Sequence, residues 1–375
     1  MINRTIINQL KNDLKPAHVT GLFGARRTGK TILMQKIKEI MSDKNVLMVH
    51  GEDLDVSEIL SSKRIQILKD FVSNYDFLFI DEAQKITSIG ENLKLLVDTV
   101  PEIGIFVTGS SSFDLRQKIG EPLTGRSRFF KLFPLSFTEL NEDYLEAKRN
   151  LPNRLIYGNY PQVHLESDLM KKKHILENIK NGYLLKDILE LDNLKDSLFV
   201  LNLLRLIAFQ IGNDISYNEL ARNLKTTVKT VQRYLDILEK TYILFSLYGY
   251  SKNLRKEYSK SPRFYFWDNG IRNSVISNYN PTQLRDDIGK LWENYCISER
   301  IKSLTYSEKY VSHYFWRTYD QQEIDLIEEE NGNLKAFEFK YGDKISKVPA
   351  AFGKAYPETS FKVINTTNYR DFLDI

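Results

Sequence analysis

Three stretches of the sequence carry residue types whose spacing allows phosphate chemistry. In "GARRTGKT" the eight residues from Gly24 to Thr31 fit the pattern Gly, any four, Gly-Lys-Thr. A loop of this kind turns backbone N–H groups inward around phosphate oxygens, Lys30 reaches the β and γ oxygens, and the Thr31 hydroxyl ligates Mg2+ at a helix N-terminus. Gly24, Ala25, Arg26, Arg27, Thr28, Gly29, Lys30, Thr31 and Ile32 are the candidate residues for holding ATP. In "FLFIDEAQK" an apolar run ends in two carboxylates. Asp81 is placed to hold Mg2+ through water, and Glu82 to orient or deprotonate the water that attacks the γ-phosphate. In "KAFEFKYG" Glu338 and Lys340 share one face of a strand, with Phe337 and Phe339 opposite. Upstream, "EIDLI" places Asp325 on a neighbouring strand, and Glu293 lies in a helix before it. Asp325, Glu338 and Glu293 together would hold Mg2+ or Mn2+ through oxygen ligands, and Lys340 would position or activate water for attack on a phosphodiester. A Glu-x-Lys pair is also what an edge strand carries to discourage aggregation.

Each of these residues needs an element behind it. "HVTGLFGARRTGKTILMQKIKEIM" reads as an apolar strand, the glycine loop, and a helix with Ile32, Leu33, Ile37 and Ile40 apolar. The continuous apolar run Phe77–Ile80 is that of a strand covered on both faces. "IGIFVTGSSS" is a third such strand, ending in small polar residues where the crevice of a parallel sheet lies. Ser110 there contacts either the γ-phosphate or its water, or only caps the next helix. Arg126 and Arg128 follow the glycine turn of "LTGRSR", and Arg126 is the candidate arginine aimed at the γ-phosphate of its own or a neighbouring subunit. From Leu135 to Ile211 the spacing is helical. "DISYNELARNLKTTVKTVQRYLDILEK" then gives a short helix after Tyr217, a turn near Lys225 and a second helix with Val231, Tyr234, Leu235 and Leu238 on its apolar face. Lys229, Gln232, Arg233 and Lys240 line the other face, the arrangement of a helix-turn-helix that reads DNA, although Asp236 and Glu239 oppose a phosphate surface. "YILFSLYGY" follows as a wing. The last part reads as a meander, with a strand to Trp316, a turn at Asp320, the "EIDLI" strand, a hairpin at Asn331-Gly332 and the "KAFEFK" strand.

Composition sets the outer limits. A chain of 375 residues with 42% hydrophobic and 27% charged residues is a globular protein of two or three domains. No apolar run approaches the roughly 18 residues of a membrane span, and the N-terminus lacks a secretory signal, so the expected location is the cytoplasm with no membrane partner. One cysteine, Cys296, and five scattered histidines exclude an internal disulfide and a zinc cluster. A net charge of +4 is too small to argue for nucleic acid by itself.

The ordered set "GARRTGKT", "FLFIDEAQK", "VTGSSS", "LTGR" and "FPLSFTEL", continued by "GNYPQV" at Gly158 and "YLLKDIL" at Tyr183, resembles the AAA-type P-loop ATPases of bacteria and archaea that carry a C-terminal domain of unknown function. An acidic helix followed by Asp325 and then Glu338-x-Lys340 resembles the PD-(D/E)xK nuclease superfamily, with Ile324 where that pattern has proline. The resemblances imply an α/β protein with four parts. These are an AAA-type parallel-sheet domain over 1–134, a helical lid over 135–200, a winged helix-turn-helix over 201–268 and a restriction-endonuclease-like domain over 269–375. The expected function is an Mg2+-dependent ATPase that controls the C-terminal parts, with DNA and further copies of the chain as expected partners. The domain at the C-terminus either cleaves DNA or binds nucleic acid or protein without cutting.

Overall fold

The computed structural model describes residues 2–110, 123–184, 197–251, 261–318 and 320–374. The last two serines of "VTGSSS" and residues 185–189 of "YLLKDIL" lie outside the described residues. The chain divides into two compact units, one comprising Met1–Phe133 with Lys240–Tyr242 and the other Pro134–Glu239 with Ile243–Ile375.

The first unit is built on a five-stranded sheet in the order β2-β3-β4-β1-β5. Its strands are β1 (His18–Phe23), β2 (Val46–His50), β3 (Phe77–Asp81), β4 (Gly104–Gly109) and β5 (Ser127–Lys131), and every pairing is parallel. Strands β1, β3 and β4 are buried along their whole length, as a parallel sheet with covered faces requires. Phe79 and Phe106 meet edge to face across β3 and β4 at 5.2 Å. Because all strands run the same way, the loop after β1, the acidic end of β3 and Ser110 after β4 emerge on one edge.

The second unit opens with helices, among them Tyr144–Tyr157, Leu169–Asn178 and Ser197–Phe209. Helices Tyr217–Asn223 and Val228–Lys240 follow, separated by a turn in which Lys225 takes φ +52°. Val231, Tyr234, Leu235 and Leu238 are buried, Lys229, Gln232 and Arg233 are exposed, and Lys240 is half-buried. Strands β6 (Leu244–Gly249), β7 (Arg263–Phe266), β8 (Ser312–Arg317), β9 (Glu323–Glu330), β10 (Asn333–Phe339) and β11 (Ser360–Ile364) form one sheet in the order β11-β10-β9-β8-β6-β7. The segment expected as the wing contains β6, which pairs on both sides. Leu244–Leu247 pair antiparallel with β7, while Tyr248 and Gly249 pair parallel with β8. Leu244, Phe245 and Leu247 are buried there. Strands from both sides of 268/269 share this one sheet. Asn331 and Gly332 take φ +53° and +81° at the β9–β10 turn, the left-handed pair that a two-residue hairpin needs.

On β8, His313 faces Glu328 across the β9 ladder, and its Nε2 is buried without a hydrogen-bond partner. Burial pushes its pKa down from 6.5 to about 4. A proton therefore binds the unfolded chain better, so this contribution to stability is present above pH 6.5 and is lost as the pH falls toward 4. Urea unfolding at pH 7 and pH 4.5 should show His313→Gln losing about 1–3 kcal/mol less stability than the unchanged protein over that interval. Parallel losses in the two proteins would contradict it.

Candidate functional site

Gly24–Thr31 links β1 to the helix Lys30–Ile40. The loop lies so close to the strand after it that a Cβ on Gly24 would sit 2.0 Å from the Leu132 carbonyl oxygen. Thr28 is fully buried and its hydroxyl donates to the Ala25 carbonyl at 2.8 Å, closing the loop on itself. Lys30 Nζ donates to the carbonyls of Gly24 at 2.9 Å and Ala25 at 3.1 Å, so its ammonium lies in the mouth of the loop. Ile32 is 57% exposed, which leaves its backbone N–H in the first helical turn as its route to a phosphate. Arg26 is half-buried and Arg27 exposed.

Thr31 Oγ1 donates to Asp81 Oδ2 at 2.6 Å, joining the glycine loop to the tip of β3. The other Asp81 oxygen accepts from Thr108, and His50 Nε2 lies 3.9 Å from Oδ2. A hydroxyl and a carboxylate oxygen brought together at a helix N-terminus are a donor set that suits Mg2+, a hard cation. Glu82 holds φ +52°, a left-handed conformation uncommon outside glycine. Its backbone N–H donates to Thr108 Oγ1 at 3.2 Å, and its carboxylate accepts from Gln84. Gln84 Nε2 also donates to Ser110 Oγ at 3.1 Å, so the glutamate and the serine share one amide. Thr108 and Gln84 are site residues that motif reading missed. Their signal was a polar side chain at a buried strand end, inside motifs already singled out. Arg126 pairs with Asp98 on the helix Ile89–Thr99, and Arg128 lies over the Phe130 ring at 4.9 Å.

In the second unit, β9 and β10 pair with Leu326 opposite Phe337, a register that sets Asp325 opposite Glu338. Lys340 Nζ donates to Glu338 Oε1 at 2.7 Å, and Glu338 Oε2 is buried without a partner. Asp325 Oδ2 accepts from the Phe339 N–H at 2.8 Å. Glu293, on the helix Ile288–Tyr306, accepts from Tyr265 Oη at 2.8 Å and from Lys290 Nζ at 3.0 Å. Burial, and then the nearby charges of Glu293 and Glu338, push Asp325 well above the usual carboxylate range. Glu338 is raised by burial, with Lys340 opposing and Glu323 and Glu293 adding to the rise. Burial would lower Lys340, but Glu338, Asp325 and Glu293 hold its pKa up. The predicted four residues are thus brought within electrostatic reach of one another. Among the described residues, however, no three carboxylate, imidazole or thiol groups converge tightly enough to hold a metal ion. The expected Mg2+ or Mn2+ set of Glu293, Asp325 and Glu338 does not fit as it stands, because Glu293 gives both oxygens, and Asp325 and Glu338 one each, to internal donors. Tyr265 and Lys290 were not legible as members of this cluster, since only the tertiary fold brings β7 beside the helix.

Residues 17–141 match the family model of an AAA domain, 148–282 a domain of unknown function (DUF8612), and 288–372 another (DUF4143). An uncharacterized protein of Haemophilus influenzae is 23% identical over 93% of this chain and 86% of its own length. One from Methanocaldococcus jannaschii is 27% identical over 69% of this chain and 62% of its own length, and one from Mycobacterium tuberculosis 25% over 88% and 72%. Among solved structures, AMPPCP-bound DnaA from Aquifex aeolicus has a TM-score of 0.32 at 15% identity, covering 62% of this chain and 86% of that one. Cdc6p from Pyrobaculum aerophilum has a TM-score of 0.28 at 14% identity, covering 73% and 90%. At such scores the likeness carries nothing further. With the glycine loop, the parallel sheet and the family match in agreement, residues 17–141 are an AAA-type P-loop domain. Its loop should be intolerant of a single methyl group. Gly24→Ala is expected to weaken binding of a fluorescent ATP analogue by about tenfold or more, because the backbone carbonyl of Leu132 cannot yield without moving the loop. Unchanged affinity would show that the close approach is unimportant.

Proposed function

We propose that the P-loop domain binds and hydrolyses ATP with Mg2+, and that the nucleotide state switches a C-terminal unit that binds nucleic acid. The observation that carries the first half is the 2.6 Å bond between Thr31 Oγ1 and Asp81 Oδ2. Thr31 and Asp81 would hold Mg2+, which when bound offsets charge on the phosphate oxygens. The remaining work belongs to side chains. Lys30 exchanges the carbonyls of Gly24 and Ala25 for the β and γ oxygens. Glu82 accepts the proton of the attacking water, and Gln84 keeps its carboxylate beside Ser110. Arg126, whose side chain is 54% exposed, is available to a neighbouring subunit of a homo-oligomer.

Support for nucleic acid comes from the exposed Lys229, Gln232 and Arg233 on the second helix of the helix-turn-helix segment, the side chains such a helix presents to phosphates and base edges. The cleaving form of this reading, with Asp325, Glu338, Glu293 and Lys340 as a metal-dependent nuclease site, rests on the order of those residues. The partners of the carboxylates favour the form that binds without cutting. The family matches to residues 148–282 and 288–372 state no function and leave both forms to experiment.

Lys30→Ala should reduce ATP turnover by at least about 100-fold, and a variant that hydrolyses at the normal rate would remove the P-loop assignment. Duplex, single-stranded and branched DNA should be retained in gel shifts. The double variant Lys229→Glu, Arg233→Glu should lose about tenfold or more in affinity with a shallower salt dependence. DNA that is not retained in any form would sink the nucleic-acid half.

A further inference from the structure

The acidic cluster of the second unit is already furnished with cations from the chain itself. Lys290 lies one helical turn before Glu293, and its ammonium bridges Glu293 Oε2 at 3.0 Å and the Gly212 carbonyl at 3.3 Å. The other Glu293 oxygen takes the Tyr265 hydroxyl at 2.8 Å. Gly212 closes the remaining side: it holds φ +69°, and a Cβ there would stand 2.6 Å from Glu293 Oε1. Glu293 is 4% exposed, so both of its oxygens and its flank are covered. Lys340 caps one oxygen of Glu338, Oε1, at 2.7 Å and leaves Oε2 without a partner. The Lys290 and Lys340 side chains are each 36% exposed, against 5% for the side chain of Glu293 and 12% for that of Glu338.

We infer that the resident cation of this cluster is the ammonium of Lys290, which excludes a divalent metal ion and turns a positive face to solvent. This rests on the non-cleaving reading given above and sharpens it. A metal ion could reach Glu293 Oε2 only by displacing Lys290, with the Gly212 carbonyl losing its donor as well, while Tyr265 holds the other oxygen. Phosphodiester oxygens approaching this surface meet ammonium groups instead of bare carboxylates, so the ligand class it accepts without metal is a nucleic-acid backbone. A metal-loaded cluster would instead need Lys290 turned away.

The test is calorimetric titration of Mn2+ into the nucleotide-free full chain, comparing the unchanged protein, Asp325→Asn, Lys290→Gln and the double variant. The expected result is that the unchanged protein and Asp325→Asn give the same isotherm. Lys290→Gln should gain a site about tenfold or more tighter than anything in the unchanged protein, and the double variant should lose it. A site in the unchanged protein that disappears in Asp325→Asn overturns the inference. So does a Lys290→Gln variant that folds and gains no site. If Lys290→Gln does not fold, the comparison of the unchanged protein with Asp325→Asn decides alone. Incubating the same preparations with DNA and Mn2+ separates the two levels. An Asp325-dependent metal site without cleavage removes only the role of Lys290, whereas Asp325-dependent cleavage removes the non-cleaving reading too.

Discussion

Five carboxylates of the second unit, Asp268, Glu293, Glu299, Asp325 and Glu328, are each 5% exposed or less. An ion taken from water costs several kcal/mol unless partners replace its hydration, and much of this unit is arranged to supply those partners. Glu328 takes a two-pronged bond from Arg300 at 2.7 and 3.0 Å. Glu299 takes Lys302 at 2.8 Å, the Phe137 N–H at 2.6 Å and Asn159 Nδ2 at 3.3 Å. Asp268 accepts the backbone N–H groups of Asn159 and Ile271. The motifs "FPLSFTEL" and "GNYPQV" thereby find a physical purpose. Phe137 and Asn159 bring donors to carboxylates that lie more than a hundred residues further along the chain.

The two acidic sites use the same residue types to opposite ends. Asp81, at the tip of β3, is flanked by the Thr31 and Thr108 hydroxyls and by His50. The hydroxyls are small and the His50 side chain is 47% exposed, a setting that would admit a cation. Asp325 lies within β9, where its hydrogen bond is to the backbone of Phe339 and its neighbours Glu293 and Glu338 carry the same charge. Burial and those like charges therefore push the Asp325 pKa up. Position at a strand end or inside a strand separates the two uses.

Much of the fold could be read from sequence because it rests on local pattern. Continuous apolar runs marked β3 and β4 as buried parallel strands, the period of Val231, Tyr234, Leu235 and Leu238 gave the buried face of its helix, and Asn331-Gly332 gave the hairpin. What local pattern does not give is a strand that serves two neighbours. Nothing local in "YILFSLYGY" says that Tyr248 and Gly249 pair with Tyr314 and Phe315, more than sixty residues on. The same limit hid Tyr265, Lys290 and Gly212. Each is ordinary in its own segment and acquires a role only because β7 and the turn at Gly212 are folded against Glu293. Glu293, Asp325, Glu338 and Lys340 could be found because they follow a known order, but order says nothing about which donors they face.

The short segment after the helix Ser197–Phe209 links the helix-turn-helix segment to the acidic cluster. Gly212 N–H donates to Phe264 and Ile215 N–H to Pro262, so residues 212–215 run along β7. Asp214 accepts from Arg263 Nε and from Arg317, each at 2.8 Å, and Arg263 continues to Glu323 at 2.8 Å. Arg263 is buried and stacked over the Phe315 ring at 4.2 Å, so it cannot follow a displaced Asp214 without abandoning that packing. Lys290 is tied to the same segment through the Gly212 carbonyl. A shift of the helices on either side of this segment therefore cannot leave the cluster as it is: it must either carry Lys290 and Arg263 with it or strip the buried Glu293 and Arg263 of partners. The second alternative is costly enough that the segment and the cluster have to move together.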